Sequence, residues 1–251
     1  MSDLASSAVP VEHDARMVVD IWSDVVCPWC AIGKANLEAA LARFDHREDV
    51  DIVWHSYELD PNAPVARSGD YVGMLSRKYG TTPEQAQVMI DQMTERGHEA
   101  GVPFRFDIVQ PGNTFDAHRL IHLGAARGIQ TAVKERMLRG YLCEGEAIGL
   151  PEVLERLAVD AGLDADEVAA VLTTDAFAEQ VRVDEATAAS LQVTGVPFFV
   201  VDRRYAVPGA QPPELLLQVL EQAWAERSEV ARDTAPGPEA EGGACSIDGE
   251  C

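Results

Sequence analysis

Two cysteines three residues apart, in the segment Cys27-Pro28-Trp29-Cys30, are the side chains of this sequence best suited to chemistry. On a helix that spacing puts both on one face, so the two sulfurs can close a small disulfide and reopen it. Pro28 suits a first helical turn, because the N–H it lacks would have no partner there. Cys27 is then expected at the helix N-terminus, among free N–H groups and the positive end of the macrodipole. Both favour an anion, so its pKa is expected below the free value of about 8.5. A thiolate is the attacking species in disulfide exchange. This reading gives attack to Cys27, resolution of the mixed disulfide to Cys30, and an apolar rim to Trp29.

A C-x-x-C can also be half of a zinc site, which needs two further ligands. Three other cysteines are present, at 143, 245 and 251. Cys143 falls near Met137, Leu138 and Leu142 on a helical pattern and reads as a buried hydrophobe. Cys245 and Cys251 lie in an acidic tail at a spacing unsuited to completing a metal site. They are either incidental thiols or an auxiliary redox pair, tethered so that the dithiol sees them at high effective concentration.

The elements around the dithiol follow from periodicity. Met17 to Trp22 is a β-branched and aromatic run, and Asp51 to Tyr57 alternates polar and apolar residues; both read as strands. Between them Ile32, Leu37, Ala40, Leu41 and Phe44 form the stripe of an amphipathic helix. The opening is thus βαβ, which favours parallel strands. From about 62 to 182 the pattern is helical. Starts are expected at Thr82-Pro83 and at Asn113-Thr114, and segments at about 130–144, 151–161, 164–172 and 175–191. Strand character returns at Val196–Val201 and Tyr205–Val207, joined by Asp202-Arg203-Arg204. A last helix runs from Pro213 to about Glu226, with Leu215, Leu216, Val219, Leu220 and Ala223 facing inward. The expected class is α/β: a thioredoxin-like domain (15–62 and 183–230) interrupted by an all-helical domain (63–182). A disordered lead (1–16) and a flexible acidic tail (231–251) flank it.

Charge narrows the function. Lys and Arg total 20 against 42 Asp and Glu, a formal charge of −22, which repels nucleic acid and anionic lipid. No run approaches the roughly 20 apolar residues of a membrane span. The first residues lack the basic start and apolar core of a secretory signal, so a cytoplasmic location is expected. In that compartment a structural disulfide framework is disfavoured, and the cysteines read as reactive or buried.

The C-P-x-C after strand one, the helical insertion, the Thr194-Gly195-Val196-Pro197 loop and the terminal hairpin plus helix together resemble the DsbA-like branch of the thioredoxin superfamily. Ser23 to Cys30, Asn113 to Leu120 and the Pro208-Gly209-Ala210-Gln211 turn resemble its cytoplasmic FrnE-type subgroup. The resemblance covers about residues 17–226. It implies a protein disulfide oxidoreductase or isomerase with Cys27 and Cys30 as catalytic residues. It also implies a cis peptide bond at Pro197, with Val196 holding extended substrate, and it turns Asn113 and His118 towards the cleft. Read from the residues alone, Asn113 is a helix cap and His118 a core or rim histidine. No metal and no nucleotide cofactor are expected, and glutathione is a candidate co-substrate. Partners would be disulfide-containing proteins or small thiols and a cellular dithiol reductant. The same branch holds kappa-type glutathione transferases and 2-hydroxychromene-2-carboxylate isomerases, which typically carry serine at the position of Cys27. A peptide-binding chaperone using the helical cleft is the remaining alternative.

Overall fold

The structure, a computed structural model, describes residues 16–66 and 70–234, with side chains through 227. The lead before Arg16 and the tail cysteines Cys245 and Cys251 lie outside the described residues. Strand β1 (Met17–Ser23) leads into helix α1 (Pro28–Leu41), and β2 (Val50–Ser56) follows. Seven helices come next: α2 (Tyr71–Tyr79), α3 (Pro83–Glu99), α4 (Phe115–Ala126), α5 (Gln130–Glu144), α6 (Pro151–Asp160), α7 (Ala165–Thr173) and α8 (Ala178–Ser190). The chain returns as β3 (Phe198–Val201), β4 (Tyr205–Pro208) and α9 (Pro213–Thr234).

The sheet order is β2-β1-β3-β4, with β1 parallel to β2 and antiparallel to β3. Because side chains alternate along a strand, β1 has two distinct faces. Met17, Val19 and Ile21 are fully buried in the core that includes Ile32, Leu37 and Trp54. Trp22 points the other way and packs with Ala188 of α8 and Val193. The sheet is thus covered on both sides, by α1, α5 and α9 on one face and by α8 on the other.

Local chemistry explains the ends. Thr82 accepts from Gln85 N while the Gln85 side chain accepts from Thr82 N, a full capping box for α3. Asp70 caps α2, and Gly80 stops it in the left-handed region at φ 63°. The 63–182 boundary expected for the insertion falls inside α8 at its C-terminal side. Two expectations for the last helix need correction. It continues to Thr234, past the expected start of the tail. Leu215 is 38% exposed, whereas Leu216, Leu220 and Ala223 are buried. Those three recur at i, i+4 and i+7, and Leu215 lies about 100° away from that stripe.

Candidate active site

Cys27 is the N-cap of α1, with Pro28 in the first helical position, and the N–H groups of Cys30 and Ala31 reach back to its carbonyl at 3.0 and 3.3 Å. Both cysteines are free thiols and both are buried, Cys30 more deeply. The two side chains shift each other's ionisation in opposite directions, and the Cys27 thiol lies 3.5 Å from the carbonyl oxygen of Val196. The Val196–Pro197 bond is cis, as the resemblance implied. Pro197 closes on α1 at Gly33, where a Cβ would stand 2.8 Å from its Cγ and 3.2 Å from the Phe199 ring. Gly33 was not singled out in the sequence, since a helix-interior glycine carries no local signature of what approaches it.

Beneath the sulfurs lies a cluster of buried polar groups. Asp24, one turn before Cys27, accepts from Leu59 N through Oδ2 at 2.8 Å. Its other oxygen is 3.4 Å from His118 Nε2, and neither atom makes a full hydrogen bond. Lys134, on α5, donates to Ser23 O at 3.1 Å and lies 5.7 Å from the Trp54 ring. Gln130, one turn earlier, holds α5 to β2 by accepting from Trp54 N and donating to Trp54 O. Ser23, Asp24, His118 and Lys134 are each no more than 1% exposed.

This cluster decides where the charge of the dithiol sits, and the result differs from the expectation. The hydrogen bond to Cys30, and then burial, push the Cys27 thiol well up, and Asp24 adds to the shift. Burial opposes ionisation of Cys30 too, but the Cys27 hydrogen bond, the Lys134 ammonium and the Ser23 hydroxyl outweigh it and hold Cys30 down. In the closed, reduced pair the surroundings therefore favour charge on Cys30 over charge on Cys27. The helix terminus is where the sequence reading placed it. Local sequence does not carry the charges that act there: an acid on Cys27, and on Cys30 a lysine 104 positions further along. Burial lowers the Lys134 pKa to about 8, against the pull of Cys30, Asp24 and Cys27. Asp24 is held down despite burial, chiefly by His118, and burial keeps His118 below its ordinary value.

Cys27 opens into a cleft of about 840 Å³ lined by Trp29, Tyr71, Met74, Met93, Phe106 and Val196, among others. Trp29 is 39% exposed and lies against the guanidinium of Arg96 at 5.7 Å, so it forms the expected rim. Two site residues take other places than the resemblance implied. His118 is buried away from the cleft, against Asp24. Asn113 accepts from Phe115 N and donates to Ala63 O, so it ties the start of α4, whose N-cap is Thr114, to the loop after β2. Cys143 is half-buried against the core. The sequence also carries a His-x₃-His spacing, His118 and His122, which zinc would have to use. The two rings face different carboxylates, Asp24 and Asp184. Among the described residues no group of three or more His, Cys, Asp or Glu is arranged to hold a metal.

Sulfur chemistry on a thioredoxin-like frame is what these residues are arranged for, and the chain is a disulfide oxidoreductase. Comparison with known proteins agrees. The model of the DSBA-like thioredoxin domain family matches residues 18–221, and the chain belongs to that family. A crystal structure of a probable DsbA oxidoreductase from Streptomyces coelicolor, SCO1869, is similar at 44% identity and a TM-score of 0.80, covering 93% of this chain and 97% of that one. The uncharacterized protein YwbO of Bacillus subtilis is 27% identical over 194 residues, 76% of this chain and 90% of its own. The cytosolic disulfide reductase DsbM from Pseudomonas aeruginosa, solved with GSH, shares the fold at 19% identity and a TM-score of 0.56, covering 86% of this chain and 99% of that one. Among the described residues no helix is long and apolar enough to cross a membrane.

Proposed function

We propose that the chain reduces or isomerises disulfides of peptides and small thiols through Cys27 and Cys30. The observation that carries this reading is the pair of free thiols under the Val196–Pro197 loop, with Cys27 at the cleft and Cys30 behind it. Transfer of the proton from Cys27 to Cys30 makes Cys27 the thiolate. Cys27 attacks one sulfur of the substrate disulfide; that bond breaks, and the departing thiolate takes up a proton. Cys30 then loses its proton and attacks Cys27 Sγ, releasing the second thiolate. Two electrons pass to the substrate, and a cellular dithiol or glutathione restores the pair. Lys134 favours the anion on Cys30 before the proton transfer from Cys27 and again when Cys30 attacks. The Val196 carbonyl borders the cleft and suits an extended substrate.

The FrnE-type subgroup and a cytoplasmic location fit the same motifs, and the cytosolic DsbM, solved with GSH, supports glutathione as a partner to test. Both sulfurs are present, which speaks against the serine-based transferase and isomerase chemistries. Insulin reduction with dithiothreitol tests the reading. Cys27→Ser is expected to abolish turnover, and Cys30→Ser to trap a mixed disulfide on Cys27. Full turnover in Cys27→Ser would overturn the proposal. Replacing both Cys245 and Cys251 by serine in the same assay reports whether they act as an auxiliary pair.

A further inference from the structure

The cleft beside Cys27 gathers cations, against the trend of the whole protein. With 42 acids and 20 bases, most described cations are held in local ion pairs: Arg16 with Asp51, Arg43 with Glu214, Arg105 with Asp107, Arg156 with Glu146. Among the described side chains, the lysines and arginines without an ion pair are the buried Lys134, Arg203 in the β3–β4 turn, and three exposed groups: Arg77, Lys78 and Arg96. Arg77 and Lys78 line the cleft, and Arg96 lies over Trp29 at its mouth. Helix α2, which carries the first two, contains no carboxylate. Two acids also line the cleft: Asp24 is turned to His118, and Asp60 accepts from Asn62 N. The rest of the wall is largely apolar and adaptable, with Met74, Met89 and Met93 together with Tyr71 and Phe106.

We infer that the cleft selects acidic peptide disulfides, in which the attacked cysteine is flanked by an apolar residue and by carboxylates. The inference rests on the proposed function and names its substrate class. A peptide fits the cleft because its wall includes the backbone of Gly195 and Val196, where a Cβ added at Gly195 would meet nothing within 4 Å. Main-chain groups at such an edge can take an extended segment, while pockets read alternate side chains. The apolar residue would enter the methionine-lined wall, and the carboxylates would reach Arg77, Lys78 and Arg96. The exchange itself is unchanged: two electrons pass from the dithiol to the peptide disulfide, and an added dithiol restores the enzyme.

The sign of the charge effect makes the test sharp, since a chain of charge −22 should by itself favour basic substrates. Two peptides of equal length, each with one disulfide flanked by leucine and by either glutamates or lysines, are reduced by the full-length protein with dithiothreitol. At low salt the glutamate peptide is expected to have a kcat/KM about tenfold higher. The advantage should shrink near 1 M salt, where the Debye length falls to about 3 Å. In Arg77→Ser/Lys78→Ser, and further with Arg96→Ser, the preference should pass to the lysine peptide. A lysine preference in the unaltered protein, or equal rates, would overturn the inference while leaving the oxidoreductase reading intact. If neither peptide nor neutral bis(2-hydroxyethyl) disulfide is reduced, both fall together.

Discussion

Helix α4 carries two histidines one turn apart, and each serves a different buried charge cluster. His122 sits 3.0 Å from Asp184, whose carboxylate also accepts from Ser56 N and meets His55 Nδ1, both at 2.8 Å. The other nitrogen of His55 meets Asp20 at 2.8 Å, and its ring stacks on Trp22 at 4.4 Å. This cluster ties β1 and β2 to α4 and α8, and its members are well partnered. His118 belongs to the cluster under the dithiol, where Ser23 Oγ, Asp24 Oδ1 and His118 Nε2 lack full hydrogen bonds. A satisfied network makes one geometry rigid, whereas an under-satisfied one holds groups whose charge can still respond to a neighbour. The first cluster is thus a fastening, and the second an environment for sulfur.

Lys134→Met is the strongest way to break that contrast. Removing one partner from a buried charged set costs about 3 kcal/mol or more, because the remaining charge is stranded. If the cluster serves the sulfurs, the ultraviolet thiolate band of the dithiol should titrate at higher pH. Disulfide reduction near neutral pH should also fall by about two orders of magnitude, equivalent to about 3 kcal/mol in the barrier. Lost stability with an unmoved thiolate titration would make Lys134 a fastening like His55.

The opposite cluster predicts a pH effect on stability. Burial disfavours charge on His55, but Asp184 and Asp20 outweigh it and raise its pKa from 6.5 to about 9. A raised cationic group contributes fully below its unfolded value and loses that contribution as pH climbs through the folded one. Urea denaturation should therefore show stability falling by about 3 kcal/mol between about pH 6.5 and 9 from this site. His55→Gln should flatten that slope and leave the thiolate titration where it was. Asp184 is held far below its ordinary value, mainly by His122 and His55 against burial, so its contribution is lost only in strong acid.

Gly33→Ala separates packing from charge. The added methyl meets Pro197 and Phe199, and overpacking of this kind costs about 1–3 kcal/mol. Tm should drop by several degrees, with reduction slowed less than in Lys134→Met. An unchanged Tm would show that the Pro197 loop moves freely away from α1.

Much of the frame could be read from residues alone, because its signals are local. The βαβ opening, the Thr82–Gln85 capping box and the proline-started α1 each depend on side chains a few positions apart. What escaped was non-local. Lys134 looks like one more polar residue between Val133 and Glu135 until α5 lays it against Trp54 and Ser23. His118 was placed by resemblance near substrate, yet the helix period turns it inward to Asp24. The charge of the dithiol was misassigned for the same reason: a helix terminus can be read in sequence, but a cation delivered from another helix cannot.

That delivery has a consequence for anyone wishing to shrink the molecule. Joining β2 to the Val196–Pro197 loop ahead of β3 would keep the sheet, both thiols and that loop, and would look like a minimal redox domain on paper. It would also discard the amine on which the deeper sulfur depends, together with the glutamine clasp that aims it. The helices between those strands are therefore no detachable accessory, and trimmed versions should retain their cysteines while losing the reactivity that gives them a use.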